Sequence, residues 1–283
     1  MLCFPGRNPP TPRAIGRRDA LRAGAAAVVA GACATGCTAD RAAPPGPSAR
    51  AAPAEQQAAP RPEPRPEPRH ESRPAPAPRA FPGRPAQIEH GPRDRARVAL
   101  TFHGGGDPAT ARSVLAVAER AGARVTVLAV GSWLDAHPQL ARRILDGGHE
   151  LGNHTQRHLT LSSMTEAQAY AEITDCAQRL RRLTGSIGTW FRPSRARYAT
   201  PLVQRLARRA GYPHVLSYDV DSLDFTSPGA AAVIRNVTGT IRNGSVVSLH
   251  FGYADTVAAM PDLLEELARR ELRAVTTTEL LTP

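Results

Sequence analysis

Two histidines stand four residues apart in Gly152-Asn153-His154-Thr155-Gln156-Arg157-His158, directly after the short run Glu150-Leu151-Gly152. On one helical turn, or on a tight loop leaving a strand, side chains at i and i+4 come close enough to share one ion. The same spacing also arises on solvated faces, so alone it decides little. Here it has company. His103, Asp107, Arg192, Asp221, Asp224 and His250 each follow or end a strand-like run. Imidazoles can bind a metal or move a proton near neutral pH, and carboxylates can support either task.

The elements that must position these groups alternate along the chain. Strand-like runs at Val98–Phe102, Arg124–Val130, Glu150–Asn153, Thr189–Pro193, His214–Val220, Ser245–Leu249 and Leu272–Thr276 are separated by helical patterns. Those patterns fall at residues 109–121, 138–145, 165–183, 201–210, 230–242 and 257–270. Such alternation predicts an α/β fold with a parallel sheet, open or closed into a barrel. Chemistry in these folds collects at the C-terminal strand ends, and every polar residue named above sits at one.

The chain around this domain is of different material. All 36 basic residues are arginines; 16 of them lie before residue 98 against 8 acids, so the +11 net charge belongs mostly to the N-terminal part. The remaining balance, with no basic groove and interleaved aromatics, does not argue for nucleic acid. Residues 1–37 read as an export signal: Arg17-Arg18 is a twin-arginine pattern before the mildly apolar run Ala23–Ala34. That run ends Ala34-Thr35-Gly36-Cys37, small residues before a cysteine that would be lipidated at Cys37. Residues 38–92 repeat a Pro-Glu-Pro-Arg theme and lack apolar periodicity, so they read as a disordered, semi-rigid spacer. Residues 93–283 are the expected domain. Of Cys3, Cys33, Cys37 and Cys176 only the last lies in it, which supports neither a zinc ribbon nor a disulfide framework.

Across residues 95–281 the sequence resembles the polysaccharide deacetylases, the NodB-homology domain of carbohydrate esterase family 4. Five motifs carry the resemblance. His154-Thr155-x-x-His158 matches the second fully. Phe191-Arg192-Pro193 matches the third, with Arg195-Ala196 where Tyr-Gly is usual. Asp221-Ser222-Leu223-Asp224-Phe225 matches the fourth with Phe for Trp, and Ser248-Leu249-His250 the fifth, with Phe251 where an aspartate is usual. The first motif departs: Thr101-Phe102-His103-Gly104-Gly105 stands where the family reads Thr-Phe-Asp-Asp-Gly.

The resemblance implies a distorted (β/α) barrel with about seven parallel strands. It also implies one divalent metal (zinc first, cobalt or nickel otherwise) and hydrolysis of N-acetyl groups on an amino-sugar polymer. It makes His154 and His158 metal ligands, leaves Asp107 to complete the set, and puts His103 in the base position. His250 becomes the acid, oriented by Asp221, with Arg192 on the base side. Two alternatives stay open: His103 binds the metal while Asp107 caps a loop, or the domain is a silent glycan-binding relative. The expected partner is an N-acetylated polysaccharide, and the expected location is the outer face of the cytoplasmic membrane as a lipoprotein, or secreted. A monomer is expected.

Overall fold

The computed structural model describes residues 75–283. The export signal, Cys37 and the spacer up to residue 74 lie outside the described residues. In chain order the elements are β1 (Gln87–Ile88), β2 (Arg97–Gly104), α1 (Pro108–Arg120), β3 (Thr126–Ala129), α2 (Gly131–Ala136), α3 (Gln139–Asp146), β4 (Glu150–Asn153) and α4 (Glu166–Thr184). Then follow α5 (Pro201–Arg209), β5 (Val215–Leu216), β6 (Val220–Asp221), α6 (Ala230–Thr238), β7 (Val246–His250), α7 (Ala254–Arg269), β8 (Arg273–Ala274) and α8 (Thr277–Leu281).

β2 is the central strand. Val98, Ala99, Leu100 and Phe102 are all fully buried, the continuous apolar run expected of a parallel strand covered on both faces. It pairs in parallel with β3, β7 and β8, and β3 pairs in parallel with β4. Helices are set by local signals. Asp107 caps α1 ahead of Pro108 at its first position, and Thr165 with Gln168 forms a capping box on α4, which ends at the left-handed Gly185. α6 stops at Thr238 rather than Arg242 because Gly239 terminates it.

The stretch expected as one strand, His214–Val220, is two. β5 pairs with β1 and with Phe191, while β6 pairs with β7. Phe191 in turn pairs with Asn153 at the end of β4. The chain between β5 and β6 therefore carries the ring from one edge to the other, which makes a distorted barrel with a thin seam. Thr189–Pro193 contributes only that single residue of pairing, not a full strand.

The packed domain begins before Arg93. Residues 75–92, assigned by the sequence reading to the spacer, lie on the barrel: Phe81 is buried and stacks on Trp190 with ring centroids 5.5 Å apart, and β1 adds an edge to β5. The Phe81 amide donates to His214 Nε2 and the Val215 amide to the Ala86 carbonyl. A Pro-rich composition hid this, because two residues of strand and one aromatic leave no periodic trace. Phe81→Ala is expected to cost about 3 kcal/mol, the usual loss for a buried aromatic. A chain started at residue 93 should melt well below one started at residue 75.

Candidate active site

The second-motif histidines leave β4 on a loop, not a helix. The His154 amide donates to the Ala129 carbonyl, and Asn153 Oδ1 accepts from the Thr155 amide. Thr155 and His158 then adopt φ of 68° and 57°, left-handed values that a non-glycine residue holds only where its surroundings enforce them. The enforcement is visible: the Gln156 amide donates to the Glu172 carbonyl, and Arg157 pairs with the buried Glu172 carboxylate. His154 is fully buried, and its Nδ1 donates to the Arg192 carbonyl at 2.9 Å. Its Nε2 is buried with no partner.

A second line of groups crosses the floor beside it. Arg192, also fully buried, can only donate. It reaches Thr101 Oγ1, the Leu216 and Ser217 carbonyls, and His103 Nε2 at 3.2 Å. His103 Nε2 therefore accepts, so its Nδ1 carries the proton and donates to His250 Nε2 at 2.7 Å. His250 Nδ1 in turn donates to Asp224 Oδ1 at 2.7 Å. The other oxygen of Asp224 takes the His250 amide and the Thr256 hydroxyl. Four side chains thus form one relay, Arg192 to His103 to His250 to Asp224.

This corrects one expectation. Asp224, fully buried, orients His250. Asp221 lies off the relay and accepts instead from the Leu223 amide in a local turn. Two acids three residues apart give no sequence signal for which one faces the histidine, and Thr256, beyond β7, gave none at all. Arg192 pairs with neither acid within salt-bridge distance; its partners are neutral.

The divalent ion implied by the resemblance needs three protein ligands. His154 and His158 suit two of them: their ring centroids are 5.0 Å apart and tilted by 55°, and His154 Nε2 is a free acceptor fixed by a bond at the other nitrogen. The third is not built. Asp107 is exposed and its carboxylate caps α1 through the Ala109 amide at 2.8 Å. His103 stacks on His154 at 4.2 Å with planes 13° apart, so the two rings cannot aim in-plane lone pairs at one ion, and both its nitrogens are engaged. Gly104 has no side chain, and a Cβ there would meet Ala129 Cα and Val127 Cγ1 at 3.0 Å. Among the described residues no group of three or more His, Cys, Asp or Glu side chains converges to hold a metal. The set Asp107, His154 and His158 does not form. Asp107→Ala is expected to cost about 1 kcal/mol through the lost cap, read by thermal melting, and to leave the metal content of the purified chain unchanged.

Burial, then the neighbouring positive groups, holds the His103 imidazole well below its ordinary 6.5; His154 is depressed likewise, by burial first and then by His158. His158 is lowered by burial and then by Arg195. The unfolded chain binds protons that these folded imidazoles refuse. Stability is therefore present above the unfolded value and is lost as pH falls through about 6.5 toward the folded values. Melting temperature should drop between pH 7.5 and pH 5, and less steeply in His154→Phe.

The cleft has two lobes that share His103, His158, His250 and Tyr253. One, about 560 Å³, is walled by the glycine loop and Trp133; the other, about 390 Å³, by Tyr218 and Phe225. Gly106 must be glycine here: its φ is 80°, and a Cβ would meet Gly252 Cα at 2.5 Å. Trp190 is buried in the core, whereas Phe225 is 45 % exposed at the cleft mouth and Tyr198 is 51 % exposed nearby in sequence to the third motif.

Comparison with known proteins agrees with this architecture. Residues 90–215 match the polysaccharide deacetylase family model. The chain is 32 % identical over 194 residues to a peptidoglycan-N-acetylglucosamine deacetylase of Bacillus cereus, covering 67 % of this chain and 90 % of that relative. The chain belongs to the polysaccharide deacetylase family. Members of this family are hydrolases of non-peptide carbon–nitrogen bonds. A chitooligosaccharide deacetylase of a Bradyrhizobium species is 30 % identical over 196 residues, covering 61 % of this polysaccharide deacetylase and 85 % of that protein. A solved family 4 pseudoenzyme from Bacillus anthracis shares the fold, with a TM-score of 0.66 at 21 % identity over 70 % of each chain.

Proposed function

We propose that this polysaccharide deacetylase hydrolyses the acetamide of an N-acetylated cell-wall or extracellular glycan. The observation that carries the reading is the relay ending on buried Asp224, placed where the two lobes of the cleft meet. Relatives named for peptidoglycan and chitooligosaccharides support the substrate class.

The imidazole pair His103–His250 can hold one extra proton. Once glycan entry opens the His103 Nδ1–His250 Nε2 bond, His250 Nε2 takes that proton from the attacking water, and the imidazolium is stabilised by Asp224 on one side. The fixed charge of Arg192 on the other side keeps the proton on His250 rather than His103. His250 then returns it to the leaving nitrogen as the carbon–nitrogen bond breaks, giving acetate and a free amine. The backbone of Gly105 and Gly106 lines the same lobe, and we assign the oxyanion to its N–H groups. Phe225 and Tyr253 offer faces for sugar rings. His154 and His158 remain a two-imidazole seat, one carboxylate short of a hydrolytic metal site.

The missing carboxylates at His103 and Gly104 favour a second reading, glycan binding without turnover. Acetate release from an N-acetylated oligosaccharide by the full chain, with and without added zinc, separates the two. Release that is lost in His250→Ala supports hydrolysis. Saturable binding without acetate under both conditions supports the silent reading. We also place the protein outside the cytoplasmic membrane, anchored through Cys37 or secreted. The twin-arginine pattern and the small residues before Cys37 support this, and lipid labelling of wild type beside Cys37→Ser tests it.

A further inference from the structure

The smaller lobe carries charges that the relay does not use. Arg195 and Arg197 both line it. Neither is in an ion pair among the described residues. Both fall just after the third motif, Arg195 where Tyr-Gly is usual in the sequences this chain resembles.

Arg197 is held in place. Its guanidinium carbon lies 5.1 Å from the ring centroid of Tyr198 and 5.1 Å from that of Tyr218, and its Nε donates to the Tyr218 carbonyl at 3.2 Å. Stacking on aromatic faces and one backbone bond fix the stem and the first nitrogen. The two terminal nitrogens make no hydrogen bond within the described residues. They are the fork that grips a carboxylate through two parallel bonds, and a fork already ordered loses little freedom in doing so. Arg195 is presented at φ 55°, a backbone state unfavourable for a residue with a Cβ. The one acid lining this lobe, Asp221, is engaged by the Leu223 amide.

We propose that this lobe recognises a carboxylate on the glycan. The unit bound beside the relay is then an acidic N-acetylated sugar, with Arg197 as the fork and Arg195 as the second cation. The inference rests on the deacetylase reading only in taking the cleft as the glycan site. A neutral chitin-type oligomer could fill the same volume but would leave both guanidiniums without an anion.

N-Acetylglucosamine and N-acetylmuramic acid form a matched pair of probes, because the second is the first with a lactyl carboxylate added. Disaccharides containing each are titrated calorimetrically into the full chain, wild type beside Arg197→Met and Arg195→Met, at low and at 1 M salt. The wild type is expected to bind the acidic disaccharide about tenfold more tightly or better, the worth of one charge-assisted pair. The ratio should fall towards one in Arg197→Met, fall part-way in Arg195→Met, and shrink at 1 M salt. Equal or tighter binding of the neutral disaccharide overturns the proposal. So does a ratio unchanged in both variants, or no binding of either probe. Acetate release is scored separately. An acidic preference without release leaves this inference standing while the hydrolytic reading falls, and release without preference does the reverse.

Discussion

Asp224→Asn is expected to cut acetate release by about 10²–10⁴-fold while Asp221→Asn leaves it within a few-fold. Three donors converge on the Asp224 carboxylate: the His250 amide, His250 Nδ1 and the Thr256 hydroxyl. A carboxamide has one acceptor oxygen and an NH₂ that must then face a donor. The cheapest relief is for His250 to move its proton to Nε2, which sets it against the Nδ1 proton of His103. His250 then holds the wrong tautomer and the relay is broken at its centre. The loss in Asp224→Asn should fall on kcat rather than KM, because Asp224 is fully buried and does not line the cleft that holds the sugar. A parallel thermal melt separates this effect from unfolding. A larger loss in Asp221→Asn than in Asp224→Asn would return the orienting role to Asp221 and sink the relay.

Arg192→Met should be among the most damaging single substitutions for stability. The guanidinium is fully buried and is donor to the Leu216 and Ser217 carbonyls, to Thr101 Oγ1 and to His103. Methionine fills much of the volume but donates nothing. Two buried carbonyls left without donors cost roughly 1–3 kcal/mol each. Removal of a buried cation that has no carboxylate beside it offsets part of that. Burial already lowers this guanidinium to about 10, which shows how poorly the site solvates the charge. A net loss of about 3 kcal/mol corresponds to a fall in Tm of about 6–12 °C for a domain of this size. Arg192→Lys should recover little, since one ammonium cannot span the positions reached by a planar fork. A Tm unchanged within a degree in Arg192→Met would show that the seam between β5 and β6 holds without it.

Much of the scaffold was legible because parallel α/β chains write their strands as continuous apolar runs. Val98–Phe102 and Ser245–Leu249 correspond to β2 and β7 within two residues. The seam was not legible. Between β5 and β6, three residues turn the chain from one edge to the other, and a run such as His214–Val220 looks the same whether it is one strand or two. The site was legible as a set of residues and not as a set of contacts. His103, His154, His158, Arg192 and His250 do meet at the rim. Asp107 does not, because an aspartate just ahead of a proline-started helix serves as its cap. Arg197 carried no signal beyond its arginine fork, since the two tyrosines that order it lie one and twenty-one residues away.

The crowding at Gly104 gives these substitutions a direction. A Cβ at that position meets the backbone of Ala129 and the Val127 side chain at 3.0 Å, closer than ordinary contact. An aspartate placed there would press on β3 before it could gain anything from an ion. His103 meanwhile has stacked its ring on His154 and tied its nitrogens to Arg192 and His250. Position 104 and its neighbours therefore behave as a ratchet. Stepping back to two carboxylates requires His103 to be released and β3 to yield together, and either change alone starts from a loss. A designer reaches the paired-aspartate arrangement from this chain only by crossing that loss.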